Sequence, residues 1–291
     1  MPETFLHGVE VVQIDDGPRP IQTVRSSVIG LIGTAPDADP TKFPVNTPVL
    51  IAGSRMEAAA LDTVGDGLGT LPDAMDAIFD QAGAVVVVVR VEEGIDADAT
   101  RTNIIGGVDA ATGAYTGVQA FLAAETAVGV APRILCAPGF TGERPEDPGT
   151  PGTFLANPVV SELLGIADRL RAVIIADGPD TNDADAQAYA GDFGSKRVYV
   201  VDPGVKVLAA DGSFVNDPAS ARVAGIIAKS DAERGFWWSP SNRQVYGIVG
   251  TTRSVDFALG DPNSRANLLN EGNVATIIRQ DGFRLWGNRT L

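Results

Sequence analysis

Six short apolar runs, interrupted by a charge only at Arg90, set the rhythm of the chain, at 28–33, 49–52, 84–91, 134–136, 173–176 and 198–201. Runs of this length without polar alternation are what strands buried on both faces look like. Between them, 54–61, 71–82, 115–126, 158–171 and 183–193 place apolar residues three and four apart, the spacing that gives a helix one apolar stripe. Strand and helix therefore alternate, which predicts an α/β fold with a mostly parallel, helix-covered sheet over 25–217. Glycine- and proline-rich stretches at 62–70 and 139–152 read as loops.

The pattern changes at both ends. Over residues 1–24, Val9, Val11 and Ile14 stand among polar neighbours until Asp15-Asp-Gly-Pro-Arg-Pro20 breaks the run. This predicts an extended N-terminal arm with no local partner, followed by a linker. Residues 218–233 read as one more helix, with Asn216 or Asp217 as its cap and Pro218 in its first turn. Beyond it, 246–249, 254–259, 274–278 and 283–286 are strand-like, so 218–291 is expected as a helix plus a mixed, strand-rich segment.

Composition narrows the class. The 291 residues can bury a substantial core, and a hydrophobic fraction of 44% with 20% charge describes a globular body rather than a disordered chain. No run of about 18 uncharged apolar residues occurs, and the start has neither the basic nor the apolar region of a secretory signal, so synthesis in a cytoplasm is expected. A net charge of −15 disfavours nucleic acid and anionic membranes as partners. That charge is divided. Residues 234–291 hold seven arginines against four acids, about +3, which leaves about −18 on the preceding 233 residues.

Little in the chain points to catalysis. Gly30-Leu-Ile-Gly33 lacks the glycine order that lets a backbone approach a pyrophosphate, and Gly65-Asp-Gly-Leu-Gly69 follows a helix instead of joining a strand to one. His7 is the single histidine and Cys136 the single cysteine, too few for a His/Cys metal site or a histidine-activated nucleophile; Cys136 reads as a buried, reduced thiol. The acids of Asp180-Thr-Asn-Asp183 and Asp185 fit a turn and a helix cap better than a calcium loop, because Ala184 interrupts the ligand pattern. No cofactor, no metal and no enzymatic activity are expected.

All three tryptophans lie in 234–291. There Gly235-Phe-Trp-Trp-Ser-Pro-Ser-Asn242, Asn267-Leu-Leu-Asn270 with Asn273, and Trp286-Gly-Asn-Arg-Thr290 resemble the shared segment of contractile tail sheath proteins. That family includes the sheaths of myophages, R-type pyocins and related injection systems, with type VI secretion sheaths as distant relatives. The motifs cover about a fifth of the chain.

The resemblance implies a structural subunit that self-associates in stacked hexameric rings around a tail tube, with baseplate and tail terminator proteins as further partners. It would be made in a bacterial host cytoplasm and act in a virion tail or a phage-tail-like particle. It also implies that the arm, through Val9, Val11 and Ile14, adds a strand to a neighbouring subunit's sheet. In such sheaths the last motif is followed by an inner domain, which is expected to be absent here.

Phe236, Trp237, Trp238, Asn270, Trp286, Gly287, Asn288, Arg289 and Thr290 are the candidate assembly or bracing residues. In a strand, Trp237 and Trp238 would point to opposite faces. Gly287 would permit a tight bend or close backbone approach, while Asn288, Arg289 and Thr290 offer groups to hold a neighbouring loop. Bracing within one subunit and contact between subunits both remain open. The alternative functions are an α/β ligand-binding protein or enzyme with its site at the carboxyl ends of the strands, and a different self-assembling shell protein.

Overall fold

The computed structural model describes residues 27–209 and 211–290. Val9, Val11 and Ile14 of the expected arm lie outside the described residues. In chain order the strands and helices are β1 (Ile29–Thr34), β2 (Pro48–Ala52), α1 (Arg55–Ala58), α2 (Leu71–Phe79), β3 (Val85–Val91), α3 (Ala97–Ile105), β4 (Gly107–Val108), β5 (Tyr115–Thr116), α4 (Ala124–Val128), β6 (Ile134–Cys136) and α5 (Pro158–Leu170). There follow β7 (Val173–Asp177), α6 (Asp183–Gly191), β8 (Val198–Val201), β9 (Val205–Leu208), β10 (Phe214–Asp217), α7 (Ser220–Arg234), β11 (Arg243–Gln244), β12 (Gly250–Thr251), α8 (Arg265–Glu271), β13 (Val274–Arg279) and β14 (Phe283–Trp286).

All six apolar runs are strands. Their sheet has nine strands in the order β11-β14-β13-β8-β7-β6-β1-β3-β2. From β13 through β3 every neighbouring pair is parallel. Antiparallel pairs close the two edges, β2 on β3 at one side and β14 on β13, then β11 on β14, at the other.

The two-residue period of the strands divides the core between two faces. Ile29, Leu31, Val86, Val88, Ile175 and Tyr199 pack on one face with α2 and α7. Ile32, Val87, Val89, Ile174, Val198 and Val200 pack on the other with α5, α6 and the turn that precedes α4. Helices on both faces explain why the strand runs are apolar throughout instead of alternating. Residues 218–291 supply α7 to the first face and β13, β14 and β11 to the sheet itself.

Three local expectations need correction. The helix expected over 115–126 starts instead as the short hairpin β4–β5, passes through a 3-10 turn at Gly117–Ala123 and becomes helical only in α4. Gly117 has φ +57°, and a Cβ there would lie 2.4 Å from the Ile104 carbonyl oxygen, so close packing on the end of α3 overrides the helical spacing. The second correction concerns the cap of α7. Neither Asn216 nor Asp217 caps it; both belong to β10, and Asp217 pairs with Arg222. Its first turn is held by Asp177 at the end of β7, which accepts from the Ser220 N–H at 2.8 Å and the Ser220 hydroxyl at 2.6 Å. Third, 246–249 and 254–259 run as irregular chain flanking β12. Gly247 takes φ +74° against Asp80, a conformation that interrupts a strand.

A single buried amide ties two distant parts of the chain. Gln81, 4% exposed, donates from Nε2 to the Tyr246 carbonyl at 3.0 Å and accepts at Oε1 from the Tyr246 N–H at 2.9 Å. It thus completes the backbone of an irregular segment as a strand partner would. Gln81→Leu keeps the volume but strands both Tyr246 groups, and is expected to cost about 1–3 kcal/mol in urea unfolding. A loss under about 0.5 kcal/mol would mean water replaces the amide at no cost.

Candidate assembly surface

The three resembling segments occupy two places. The first begins where α7 stops. Gly235 has φ +94°, and the Trp237 ring packs 2.5 Å from where a Cβ would sit, so only glycine lets the chain fold back here. Phe236 and Trp237 meet edge to face at 5.3 Å, and the Arg234 guanidinium lies 5.4 Å from the Trp238 ring centroid. The Trp238 N–H donates to the Gly235 carbonyl at 3.1 Å, which makes this a turn. Trp237 and Trp238 do not lie in a strand, so the alternation across two faces that a strand would give them does not arise. Phe236, Trp237 and Trp238 are 69%, 72% and 52% exposed, three consecutive aromatic side chains open to solvent.

The second place is where all three segments converge. The Gly287 N–H donates to the Ser241 hydroxyl at 3.1 Å, and the Gly287 carbonyl accepts from the buried Tyr199 hydroxyl at 2.8 Å. A Cβ on Gly287 would lie 2.6 Å from Asn270 Oδ1 and 2.8 Å from Ala275 Cα, so a close backbone approach is what the glycine permits. Trp286 rests edge-on against Phe257 with ring centroids 4.7 Å apart. Asn288 and Arg289 are exposed and Thr290 is half-buried. Asn288 and Arg289 face an open recess of about 470 Å³ together with Ser241, Asn267, Asn270 and Glu271.

One cluster escaped the sequence reading. Arg253 reaches Asp183 at 2.6 Å and Asp180 at 3.6 Å and pairs with the fully buried Asp202, while Arg265 binds Asp183 at 2.8 Å. Thr252 adds a hydroxyl bond to Asp180 at 2.5 Å. Together they pin the 250–265 chain to the ends of β7 and β8. Burial pushes the Asp202 carboxyl up, and Arg253 counters it; hydrogen bonds from Arg265 lead in holding Asp183 low. Only the excess of arginines over acids after residue 233 hinted at such pairing. Asn182, not an aspartate, caps α6, through the Asp185 N–H at 2.9 Å.

The protein's own groups already use the polar atoms of the candidate ligand sites. In the 62–70 loop the Asp62 carboxylate accepts from the N–H groups of Gly65, Gly67 and Val64 at 2.6, 2.8 and 3.2 Å. These bonds hold its carboxyl below the usual range and occupy the place a phosphate would take. At the carboxyl ends of β6–β8 a recess of about 370 Å³ is lined by Gly139, Glu143, Asp177, Asp217 and Thr252. Asp177 is its one strongly perturbed acid, pushed up to about 6 by burial and engaged with Ser220 and Thr141. That carboxylate holds the start of a helix through Ser220. Cys136 is buried, and burial pushes its thiol up. Among the described residues no group of His, Cys, Asp and Glu could hold a metal, and no helix is long and apolar enough to cross a membrane.

Comparison with known proteins gives this α/β body its class, the tail sheath proteins. Residues 113–291 match the phage tail sheath protein central domain, and residues 26–91 match the N-terminal region of tail sheath protein Gp18 domain III. A prophage major tail sheath protein of Pseudomonas aeruginosa (strain UCBPP-PA14) is 45% identical over 290 residues, 99% of this chain and 70% of that protein. The tail sheath protein of Escherichia phage P2 is 39% identical, over 98% of this chain and 69% of that protein. Among solved structures, the anti-feeding prophage helical sheath in its contracted state matches with a TM-score of 0.56 at 19% identity, covering 98% of this chain and 69% of that one. The chain belongs to the phage tail sheath protein family. It is a structural subunit of a phage-type tail sheath and not an enzyme, and its place is the tail of a virion or of a phage-tail-like particle.

Two buried carboxylates generate predictions. The folded-state pKa of Asp177 lies above its unfolded value, so its contribution to stability is fully present below about pH 4 and is lost as the pH rises through about 6. The stability of Asp177→Asn, subtracted from that of the wild type across pH 4–7 in urea unfolding, should trace that decline; a flat difference would contradict it. Arg253→Ala leaves Asp202 buried without its cation and is expected to cost about 3–5 kcal/mol at pH 7. Measured loss in the surface range, about 0.5 kcal/mol, would mean that Asp202 finds another partner.

Proposed function

We propose that copies of this chain stack as hexameric rings around an inner tube, bounded by baseplate and tail terminator proteins, and shorten together to drive the tube through a target envelope. The observation that carries this reading is the exposed Phe236-Trp237-Trp238 turn, three consecutive aromatic side chains open to solvent beside Arg234. Aromatic and arginine side chains are the residue types that dominate the energy of specific protein interfaces. Shortening requires two packings of rigid bodies, with the extended one kinetically trapped.

The parts take distinct roles. The arm expected from the sequence of residues 1–24 would add a strand, through Val9, Val11 and Ile14, to the sheet of a neighbour and so keep copies joined while their bodies move. Residues 25–217 form the body, and 218–291 carry the assembly motifs. Asn270, Trp286 and Gly287 brace the end of β14 within one subunit; Phe236, Trp237 and Trp238, and the polar Asn288, Arg289 and Thr290, meet the next. The anti-feeding prophage structures that match this fold include its baseplate as well as its sheath, which supports a polymer attached to a baseplate.

Electron microscopy tests the proposal. Co-expressed with its tube protein, the wild type should form striated tubes. Trp237→Ala with Trp238→Ala should abolish them while leaving unfolding within about 0.5 kcal/mol, as for exposed sites. Tubes of normal yield from the double variant would remove the aromatic turn from the interface. A wild type that never forms rings or tubes would sink the ring proposal.

A further inference from the structure

Beside the aromatic turn, α7 and the outermost strand β11 enclose a cleft of about 250 Å³ lined by Ile226, Lys229, Ser230, Arg243, Tyr246 and Arg284. Its charge is unbalanced. Lys229, Arg243 and Arg284 face it against a single acid, Glu233, whose carboxylate is 4.0 Å from Arg243 and half exposed. Two of the cations are preset by the fold. The Lys229 ammonium stands 4.8 Å from the Tyr246 ring centroid, and Arg284 Nε donates to the Gln280 carbonyl at 2.9 Å.

At the wall of this cleft sits Ser230. It is 2% exposed, and its hydroxyl has no hydrogen-bond partner among the described residues. A buried hydroxyl left unmet costs free energy, and helix serines usually relieve it by bonding back to the preceding turn. Three cations gathered on one cleft, with an unpartnered hydroxyl buried in its wall, are the arrangement that an incoming carboxylate would complete.

We propose that this cleft is a socket for a carboxylate-bearing segment of a second copy of the chain. This rests on the reading that the protein polymerises. The argument for the occupant is charge: residues 1–233 carry about −18, while the socket gathers Lys229, Arg243 and Arg284 against Glu233 alone and Arg234 stands in the turn beside it. A basic socket on one part of the surface that meets acids on a different part of the next copy is a heterologous contact, the type that propagates into rings or helices instead of closing a two-fold dimer. The exposed Trp237 and Trp238 would cover the rim of the contact and exclude water from the ion pairs, where they gain most.

Carbodiimide coupling tests this directly, because it joins an amine to a carboxylate only when the two are in contact. Assembled tubes made from mixed heavy- and light-isotope copies should give Lys229 linked to an Asp or Glu within 27–233, with mixed-isotope pairs proving the link to be between copies. Links confined to Glu233 of the same copy, or reaching only the tube protein, overturn the proposal. Lys229→Glu with Arg243→Glu should raise the concentration needed for polymerisation about tenfold or more, and high salt should do the same to the wild type. Should the double variant unfold, Lys229→Gln alone is expected to move the threshold in the same direction. Tubes that form equally well from a folded variant sink the socket and leave the sheath reading standing; a wild type that never polymerises sinks both.

Discussion

The structure hangs on how α7 is fixed across the sheet, and a single buried carboxylate fixes it. Asp177 ends β7 and receives the first N–H and the hydroxyl of α7 through Ser220. A negative group at a helix start satisfies donors that have no partner inside the helix and meets the positive end of its dipole. Burial makes that group costly to ionise, which is why its pKa rises to about 6 even with these bonds in place. From this anchor α7 crosses α2 so closely that a Cβ on Gly225 would lie 2.9 Å from the Ile78 carbonyl oxygen. Where its other end points decides where the aromatic turn stands.

What was legible in the sequence follows from burial. A strand such as Val85–Val91, covered by helices on both faces, has no choice but to be apolar at nearly every position, so its identity is written locally. The segment at 115–126 had helical spacing but carries Gly117 against the end of α3, a contact made by residues a dozen positions earlier. The cap of α7 misled for the same reason: Asp217 stood next to the helix in sequence, while the acid that caps it comes from a strand 43 residues away. Elements α3 and α8 went unrecognised because they bury few residues, two each, and so show little apolar spacing.

The site divides along similar lines. The motif residues were found because they resemble a family, but their roles depend on contacts that spacing does not encode. Whether Trp237 and Trp238 lie in a strand could not be read from their spacing, and they are turn neighbours, both exposed. Gly287 was expected to allow a close approach, and it makes one, to Asn270 and Ala275. The arginines of 234–291 counted as a single basic stretch, yet they have two fates. Arg253 and Arg265 neutralise acids of the body internally, and Arg234 and Arg289 remain available outside.

That division of arginines bears on what a sheath subunit must do. A body that moves as a unit while its neighbours rearrange needs internal bonds stronger than its external ones. Buried, hydrogen-bonded pairs such as Arg253 with Asp202 are costly to break once formed, because each leaves a charge with no water to receive it. Exposed charges and aromatics behave oppositely: they can part from one partner, return to water and meet another at modest cost. The same residue type therefore serves rigidity where it is covered and exchange where it is not. Coverage, which only the fold determines, separates the two uses.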